Sequence, residues 1–526
     1  MATLDGVIRW LSGLPGGLRV AFAVATGIVT ALGFEPFGWW PLALVGVAAL
    51  TIVVRTTPRI LAGSGLGLAY GLGFLGLGVG WMSAIFVEAM IALVVAESLF
   101  FGLLGALLHV ALRTRWWPLL AAGCWSLVEF IYSRFPFDGF GWMRLGYAMV
   151  DSPLAGFLPF VGVSGVSFLT ALTGQGLAWL ALAPTRRKAL ASVGAVAAVA
   201  LSGLGAAAYQ PTAAIGIVQV GYVQGGAPGG GVYGLGEART ITRNQVAETQ
   251  SLMDAVAAGD TPQPDFVVWP ENSTDLDPFA DAQTGQLIQQ ALATVDRPML
   301  IGTITNGPGP DQRQTTSLWW RPSGAVEARY DKRGIVPFGE YVPLRDLLLP
   351  LIPNLRYVGA QSVAGTAPGA LTVALDESRT ITVGVMVCYD LAFDHIVYDT
   401  VTHGGQVLVV QSSNAMYQGT GQIEQQFAIS RARAAELRRE ILVVTTSGVS
   451  GLIRADGSVA FSVPDYTAAS GVTTLPLRTG VTPATWLAPA VELAVAVATL
   501  AGLIGVRLAL GRRHANTTAR LPGTAE

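Results

Sequence analysis

Residues 381–390 read ITVGVMVCYD. Apolar and small residues alternate through ITVGVMV, the pattern of a buried or half-buried strand, and the run delivers Cys388 to the strand end, just before Tyr389, Asp390 and a tight turn. The chain has two cysteines; the other, Cys124, lies in a stretch too apolar to share a domain with Cys388, so no disulfide framework is on offer. A thiol at a strand end is well placed to act as a nucleophile. It also reads as a small buried hydrophobe, and this segment by itself does not decide between the two.

Working outward, the 526-residue length corresponds to about three domains. Hydrophobic residues at 52%, charged residues at 13% and a mean hydropathy of +0.51 put part of the chain in lipid. A net charge of -2 argues against nucleic acid as a partner. Of 32 basic residues only Lys188 and Lys332 are lysine. A chain that relies so heavily on arginine keeps a lysine either by chance or where a compact, titratable ammonium is wanted.

Eight apolar runs reach or approach the roughly 20 helical residues that cross a bilayer: 18–34, 40–54, 61–87, 89–112, 116–132, 153–183, 189–209 and 485–510. The first has Arg9 ahead of it and Arg19 at its start but leads into EPFGWWP and a second apolar run, so it reads as a retained anchor and not a cleaved signal. Basic residues follow spans two (Arg55, Arg59), four (Arg113, Arg115), six (Arg186, Arg187, Lys188) and eight (Arg507, Arg512, Arg513), while the intervening loops hold little beyond Arg134 and Arg144. Both termini are therefore expected in the cytoplasm, with the segment between spans seven and eight facing outward. That rule also accounts for Lys188. Trp39, Trp40, Trp116, Trp117, Trp142, Tyr147 and Trp486 read as interfacial belts. Glu129 and Glu492 lie at membrane depth, where an ionisable group is either functional or part of a helix-helix hydrogen bond. The glycines of 63–80 fit close helix packing better than a GxxxG dimer face.

Between about 211 and 477 the texture changes. Short β-rich runs (IGIVQV, DFVVWP, MLIGTIT, TTSLWWRP, VLVVQSS) alternate with helix-compatible stretches such as 421–439, which predicts a layered α/β or α+β domain outside the membrane. The expected domains are 1–210, a membrane part with seven helices; 211–480, the catalytic part; and 481–526, an eighth helix with a short tail. GGAPGGG at 225–231 reads as a flexible loop without the strand-to-helix context of a phosphate site.

Two further stretches supply partners for Cys388. In FVVWPENSTD a strand ends at Trp269 and Pro270 and presents Glu271; in ARYDKRGIVPFGEYVP, Lys332 follows a strand and Glu340 lies in a loop bracketed by Pro and Gly. Acyl transfer needs a thiolate, a group that removes and returns a proton, and a donor for the oxyanion. Cys388, Glu271 and Lys332 supply one of each; taken singly, Glu271 and Lys332 also read as surface charges.

The trio resembles the Glu-Lys-Cys constellation of the nitrilase superfamily. WPEN at 269–272, YDKRGIVPFGEYVP at 330–343 and CYD at 388–390 are similar to motifs of the bacterial apolipoprotein N-acyltransferases, as are FEPFGWWPLA at 34–43 and SPLAGFLPFVGVSGVSFL at 152–169 in the membrane part. The resemblance covers nearly the whole chain except the C-terminal tail. It implies a nitrilase-like αββα sandwich on a membrane domain of about eight helices, working at the outer face of the bacterial cytoplasmic (inner) membrane. It also implies a ping-pong transfer of an acyl chain from a phospholipid, through a Cys388 thioester, to the α-amine of a diacylglyceryl-cysteine apolipoprotein, the last step of lipoprotein maturation. In that scheme Glu271 is the general base and Lys332 stabilises the oxyanion. Glu340 supports the base, and Tyr389 and Asp390 shape the pocket beside the nucleophile. Trp269, Asn414 and Tyr417 also fall at supporting or pocket positions. No cofactor or metal is called for, and His109, His395, His403 and His514 show no ligand spacing.

The sequence departs from that pattern in three places. Asp390 stands where the family often has Glu, SNAMYQG at 413–419 keeps Tyr417 as its only aromatic, and VQGG at 223–226 is followed by no tryptophan before Tyr233. LRDLLLPLI at 344–352 reads either as a lipid-touching lid or as a buried helix turn. Two other functions fit less of the chain. A membrane-tethered amidase or nitrilase-like hydrolase needs only one span, and a receptor or transporter with a degenerate outer domain leaves the full trio unexplained.

Overall fold

A computed structural model describes residues 11–182, 185–231 and 234–518. Arg9, Ala183 and Tyr233, which figure in the reading above, lie outside these. The described chain forms two compact units. One gathers the residues up to Gly80, Glu88–Ala208 and those from Trp486 onward; the other joins Trp81–Val87 to Tyr209–Thr485.

The first unit is helical: Gly16–Ala31, Pro41–Arg55, Ile60–Gly78, Val87–Ala111, Trp117–Tyr132, Leu158–Leu182, Arg186–Ala206 and Ala484–Thr518. Among the described residues five helices are long and apolar enough to cross a membrane, and Gly16–Ala31, Pro41–Arg55 and Trp117–Tyr132 are shorter apolar helices. Glycine sets their closest approaches. A Cβ on Gly67 would lie 2.1 Å from the Phe101 carbonyl oxygen, and one on Gly105 2.2 Å from that of Gly63, so Ile60–Gly78 and Val87–Ala111 pack backbone to backbone.

Two membrane expectations are corrected. The run 61–87 is not one span: its helix stops at Gly78, a 3-10 turn covers Gly80–Ala84, and Trp81–Val87 belongs to the other unit. The aromatic belts also split. Trp39, Trp116 and Trp486 are exposed and Trp40 is half-buried, whereas Trp117, Trp142 and Tyr147 are buried in protein packing. Glu129 and Glu492 find partners in the two arginines of the sparse loops. Arg144, itself buried, lies 3.5 Å from Glu492 and 4.0 Å from Glu129, and Arg134 reaches Glu492 at 2.5 Å.

The second unit is built from strands β1 (Ala213–Gln224), β2 (Phe266–Thr274), β3 (Met299–Asn306), β4 (Gln312–Trp320), β5 (Val326–Asp331), β6 (Gln361–Ser362), β7 (Ala370–Ala374), β8 (Thr380–Val387), β9 (Val407–Ser412), β10 (Ile441–Thr445), β11 (Gly451–Ile453), β12 (Val459–Ser462) and β13 (Ala469–Thr479). They form two mixed sheets, β13-β1-β2-β3-β4-β5 with β6 beside β4, and β12-β11-β10-β9-β8-β7. The centre of each is parallel: β1, β2 and β3 in one, β8, β9 and β10 in the other.

Period-two alternation explains the layering. Phe266 and Val268 of β2 face the other sheet, meeting Val383, Val385 and Val387 of β8 with Val409, Leu442 and Trp319 in one core. Val267 and Trp269 face the opposite way, into a second core with Leu252, Ile288 and Leu292 of the helices Thr240–Ala258 and Ala282–Val295. The helices Asp394–Thr402 and Gln422–Leu437 cover the other sheet. The result is a unit of four layers, two sheets face to face between two layers of helices. Truncating a residue such as Trp319 to Ala between the sheets removes about 3–5 kcal/mol.

Candidate active site

In open sheets of this kind, ligands gather beyond the carboxyl ends of parallel strands. β8 ends at Val387, and Cys388 follows with φ 50°, a left-handed conformation that a side chain other than Gly or Asn adopts only when its surroundings impose it. The imposition comes from Asp390. Its Oδ2 accepts from the Val387 N–H at 2.8 Å and the Tyr330 hydroxyl at 2.8 Å, and its Oδ1 accepts from the N–H groups of Gly334 at 2.7 Å and Arg333 at 3.3 Å. The Asp390 carboxylate thus ties the cysteine turn to the segment carrying Lys332. Tyr389 is buried, with its ring edge-on to Phe393 at 5.1 Å.

Glu271 lies where β2 loses its register with β3, between Trp269 and Thr274. Pro270 has no N–H to give the ladder, and Asn272 takes a φ of 52°. Glu271 is 3% exposed, and Lys332, just past β5, is 2% exposed. The Lys332 Nζ donates to Glu271 Oε1 at 3.0 Å and lies 2.9 Å from Glu340 Oε2. The second Glu271 oxygen accepts from the Ser413 N–H at 3.0 Å, beyond the end of β9, and Glu340 accepts from the Val336 N–H at 2.8 Å. Two carboxylates thus share one ammonium in a space nearly closed to water, and the Cys388 thiol lies within their electrostatic reach.

This arrangement shifts the proton affinities of all three groups upward. Burial, helped by the Glu340 charge, raises Glu271 above the usual carboxylate range despite Lys332. Burial alone lowers the Lys332 ammonium, but Glu271, Glu340 and Cys388 together outweigh it and hold it well above its ordinary value. The thiol is pushed up to about 12, by burial first and then by Glu271, with Lys332 opposing. At neutral pH the resting site therefore holds a neutral thiol and a charged lysine.

Asn414 has a φ of 55° and is buried; its Nδ2 donates to Gln422 Oε1 at 2.8 Å and Gln426 Oε1 at 2.6 Å. Tyr417 meets the ring of Trp81 edge-on at 5.3 Å, and the Trp81 indole N–H donates to Gln425 Oε1 at 2.9 Å. Trp269 is a correction: its side chain is in the outer core, its N–H bonds Thr249 at 2.9 Å, and only its carbonyl, accepting from Gln411 at 2.5 Å, faces the inner side. The leucines of 344–352 are not a buried turn either, since Leu344, Leu347 and Leu351 are exposed. Reasoning from sequence missed three participants. Gln426 donates to the Cys388 Sγ at 3.4 Å, Gln411 links β9 to Trp269 and Ser317, and Trp81 comes from a run read as membrane span. No spacing marks these amides; only the folded chain brings them in. Among the described residues no three His, Cys, Asp or Glu side chains are grouped to hold a metal ion.

Two family models match the chain: the apolipoprotein N-acyltransferase N-terminal domain over residues 26–176 and carbon-nitrogen hydrolase over residues 240–479. An apolipoprotein N-acyltransferase of Mycolicibacterium smegmatis is 33% identical over 518 residues, covering 93% of this chain and 85% of that one. The protein of the same name from Pseudomonas paraeruginosa is 29% identical over 544 residues, covering 98% and 100%.

Proposed function

The chain belongs to the apolipoprotein N-acyltransferase family, and on that premise we propose that Cys388 carries an acyl group as a thioester from a membrane phospholipid to the α-amine of a diacylglyceryl-cysteine at an apolipoprotein N-terminus. The observation that carries this reading is the cluster of buried Glu271 and Lys332 with half-buried Glu340, within electrostatic reach of the thiol beyond the strand ends.

In the first half-reaction Glu271 takes the thiol proton as Sγ attacks the ester carbonyl of the donor. An ammonium has three N–H bonds, and with two directed at the carboxylates Lys332 has one for the oxyanion. Collapse breaks the ester C–O bond, and the proton on Glu271 goes to the departing glycerol oxygen. In the second half the acceptor amine gives its proton to Glu271 and attacks the thioester. The C–S bond breaks, the amide forms and the proton returns to sulfur. Glu340 keeps Lys332 and Glu271 in register. Asp390 holds the turn that presents the thiol, with Tyr389 packed beside it, and Asn414 and Tyr417 border the same region.

We extend the reading to the membrane. The eight apolar helices are all spans, with 1–210 apart from Trp81–Val87 as the membrane domain, 211–480 together with that short piece as an outward-facing catalytic domain, and 481–526 as the eighth span and tail. The membrane is the bacterial inner membrane, and both termini are cytoplasmic, an orientation supported by the basic loops. The exposed leucines of 344–352, with Phe338 and Tyr357 nearby in sequence, suit a lid that touches lipid tails.

Intact-protein mass spectrometry of the full chain with phospholipid tests the chemistry. A hydroxylamine-sensitive acyl adduct is expected on the wild type, absent in Cys388→Ser, and passing to a diacylglyceryl-cysteine peptide on addition. An adduct that decays equally fast without the peptide marks a hydrolase instead, and a folded wild type that takes no adduct overturns the proposal.

A further inference from the structure

Gln426 belongs to no motif, yet its amide is aimed at the sulfur. It projects from the helix Gln422–Leu437, is 4% exposed, and its Nε2 stands 3.4 Å from the Cys388 Sγ. The direction of the amide is fixed from the other end. Gln426 Oε1 accepts at 2.6 Å from Asn414 Nδ2, which also donates at 2.8 Å to Gln422 Oε1, so the N–H side is left to face the thiol. Asn414 in turn is set by its left-handed backbone between the end of β9 and the 3-10 turn Ala415–Tyr417. Behind them the helix is anchored by Arg433, fully buried, which donates to the Leu391 carbonyl in the cysteine turn at 2.9 Å and to Asp394 at 2.7 Å.

A neutral thiol is a weak acceptor, so an amide N–H buried against it is poorly compensated for leaving water. The same N–H facing a thiolate makes a charge-assisted hydrogen bond, roughly twice as strong as a neutral one. A donor placed this way favours the states in which sulfur carries charge over the resting thiol, and only such a difference accelerates a reaction.

We propose that Gln426 is a catalytic residue of this acyltransferase, donating through Nε2–H to the Cys388 sulfur as it becomes anionic, and that Asn414 and Gln422 hold the amide in that orientation. This rests on Cys388 being the nucleophile. The bond acts twice. During acylation the S–H proton goes to Glu271 while Gln426 stabilises the charge building on Sγ. During transfer the C–S bond breaks toward sulfur, and the same N–H receives the leaving thiolate. The two acidic neighbours oppose thiolate formation, Lys332 is committed to them as well as to the oxyanion, and Gln426 is a neutral donor that touches sulfur without adding a charge to the cluster.

The test uses the full chain in detergent. Alkylation of Cys388 by iodoacetamide is followed against pH by peptide mass spectrometry, which separates it from Cys124, alongside the single-turnover rate of acylation. Gln426→Met keeps the volume and removes the donor. It is expected to move the alkylation midpoint to higher pH and to slow acylation on the order of 10- to 100-fold, the range for a hydrogen bond to a charged group. Gln426→His, which restores an N–H, is expected to recover part of both. Gln426→Glu, nearly isosteric, puts an anion at the sulfur and is expected to move the midpoint further upward than Met does. If Gln426→Met keeps the wild-type alkylation profile, the proposal is overturned, whether the variant is normally stable or merely less stable. Transfer activity retained in Cys388→Ser would overturn the nucleophile reading instead, and the alkylation profile would still report on the amide.

Discussion

Glu340 adds to the basicity that burial gives Glu271. Its negative charge is one of the two causes that raise Glu271, burial being the larger. A base works only when ionised, so acylation falls as pH drops through the Glu271 pKa, at a pH above the ordinary carboxylate range. Glu340→Gln removes the like charge and leaves Lys332 to pair with Glu271 alone. Both changes lower the Glu271 pKa, so the acid limb of the acylation pH profile is expected to move to lower pH, read by single-turnover kinetics across a buffer series. An unmoved limb would mean that Glu271 is not the titrating base. Lys332→Met is expected to slow acylation on the order of 100- to 1000-fold in the same assay, the usual effect of losing an oxyanion donor. At this scale the gathering of Glu271, Lys332 and Cys388 was legible, because each stands at or just past a strand end, where a layered fold can bring them together. Gln426 was not, because a side-chain amide declares its role only through what its two ends touch. Trp269 was misplaced because residues 268 and 269 sit on opposite faces of β2, and the word WPEN does not say which face is inward.

Elements carry a different kind of dependence. Gln422–Leu437 is held onto the cysteine turn by Arg433, whose guanidinium also donates to Glu436 at 2.6 Å while Tyr398 donates to that carboxylate at 2.7 Å. Arg433→Met strands buried carboxylates, which destabilises by about 3–5 kcal/mol; thermal unfolding in detergent should show a clear drop in midpoint relative to wild type. The leucine segment makes the opposite prediction. Leu347→Ser with Leu348→Ser removes apolar groups from a four-residue helix that has no buried residue, so the unfolding midpoint is expected to stay while acylation from phospholipid vesicles falls; a lowered midpoint would end the lid reading. The strands were legible because a two-residue period survives wherever one face is buried. The end of the third apolar run was not, because hydropathy is nearly blind to whether an aromatic residue meets lipid or protein. Trp81 and Phe86 look equally apolar in either setting, and it is the indole bond to Gln425 and the stacking of Phe86 on Tyr357 at 5.8 Å that show which they meet.

At the scale of the whole molecule, composition separated a membrane part from a layered part, and the basic loops proposed an orientation. The pairing inside the helical unit was hidden, because Glu129, Arg134, Arg144 and Glu492 are spread over more than 350 positions of sequence. Glu492 ties the last helix to the loop that follows Trp117–Tyr132 through both arginines. Glu492→Gln leaves Arg144 buried with weaker compensation, so a loss on the order of 3 kcal/mol is expected for the helical unit. Two-probe unfolding should show it, with alkylation of Cys388 in the native state unchanged; a simultaneous change in the thiol's reactivity would refute that separation.

The excursion of Trp81–Val87 into the second unit has a consequence for anyone cutting the gene. The catalytic unit is discontinuous in the reading frame, so a fragment spanning 209–485 begins without the seven-residue piece that supplies Trp81 to Tyr417 and Phe86 to Tyr357. Solubilising the enzyme by excision therefore demands more than a well-chosen pair of endpoints. A graft of that short peptide, or its supply in trans, belongs in the design from the outset, and shuffling domains between relatives should exchange the two pieces together.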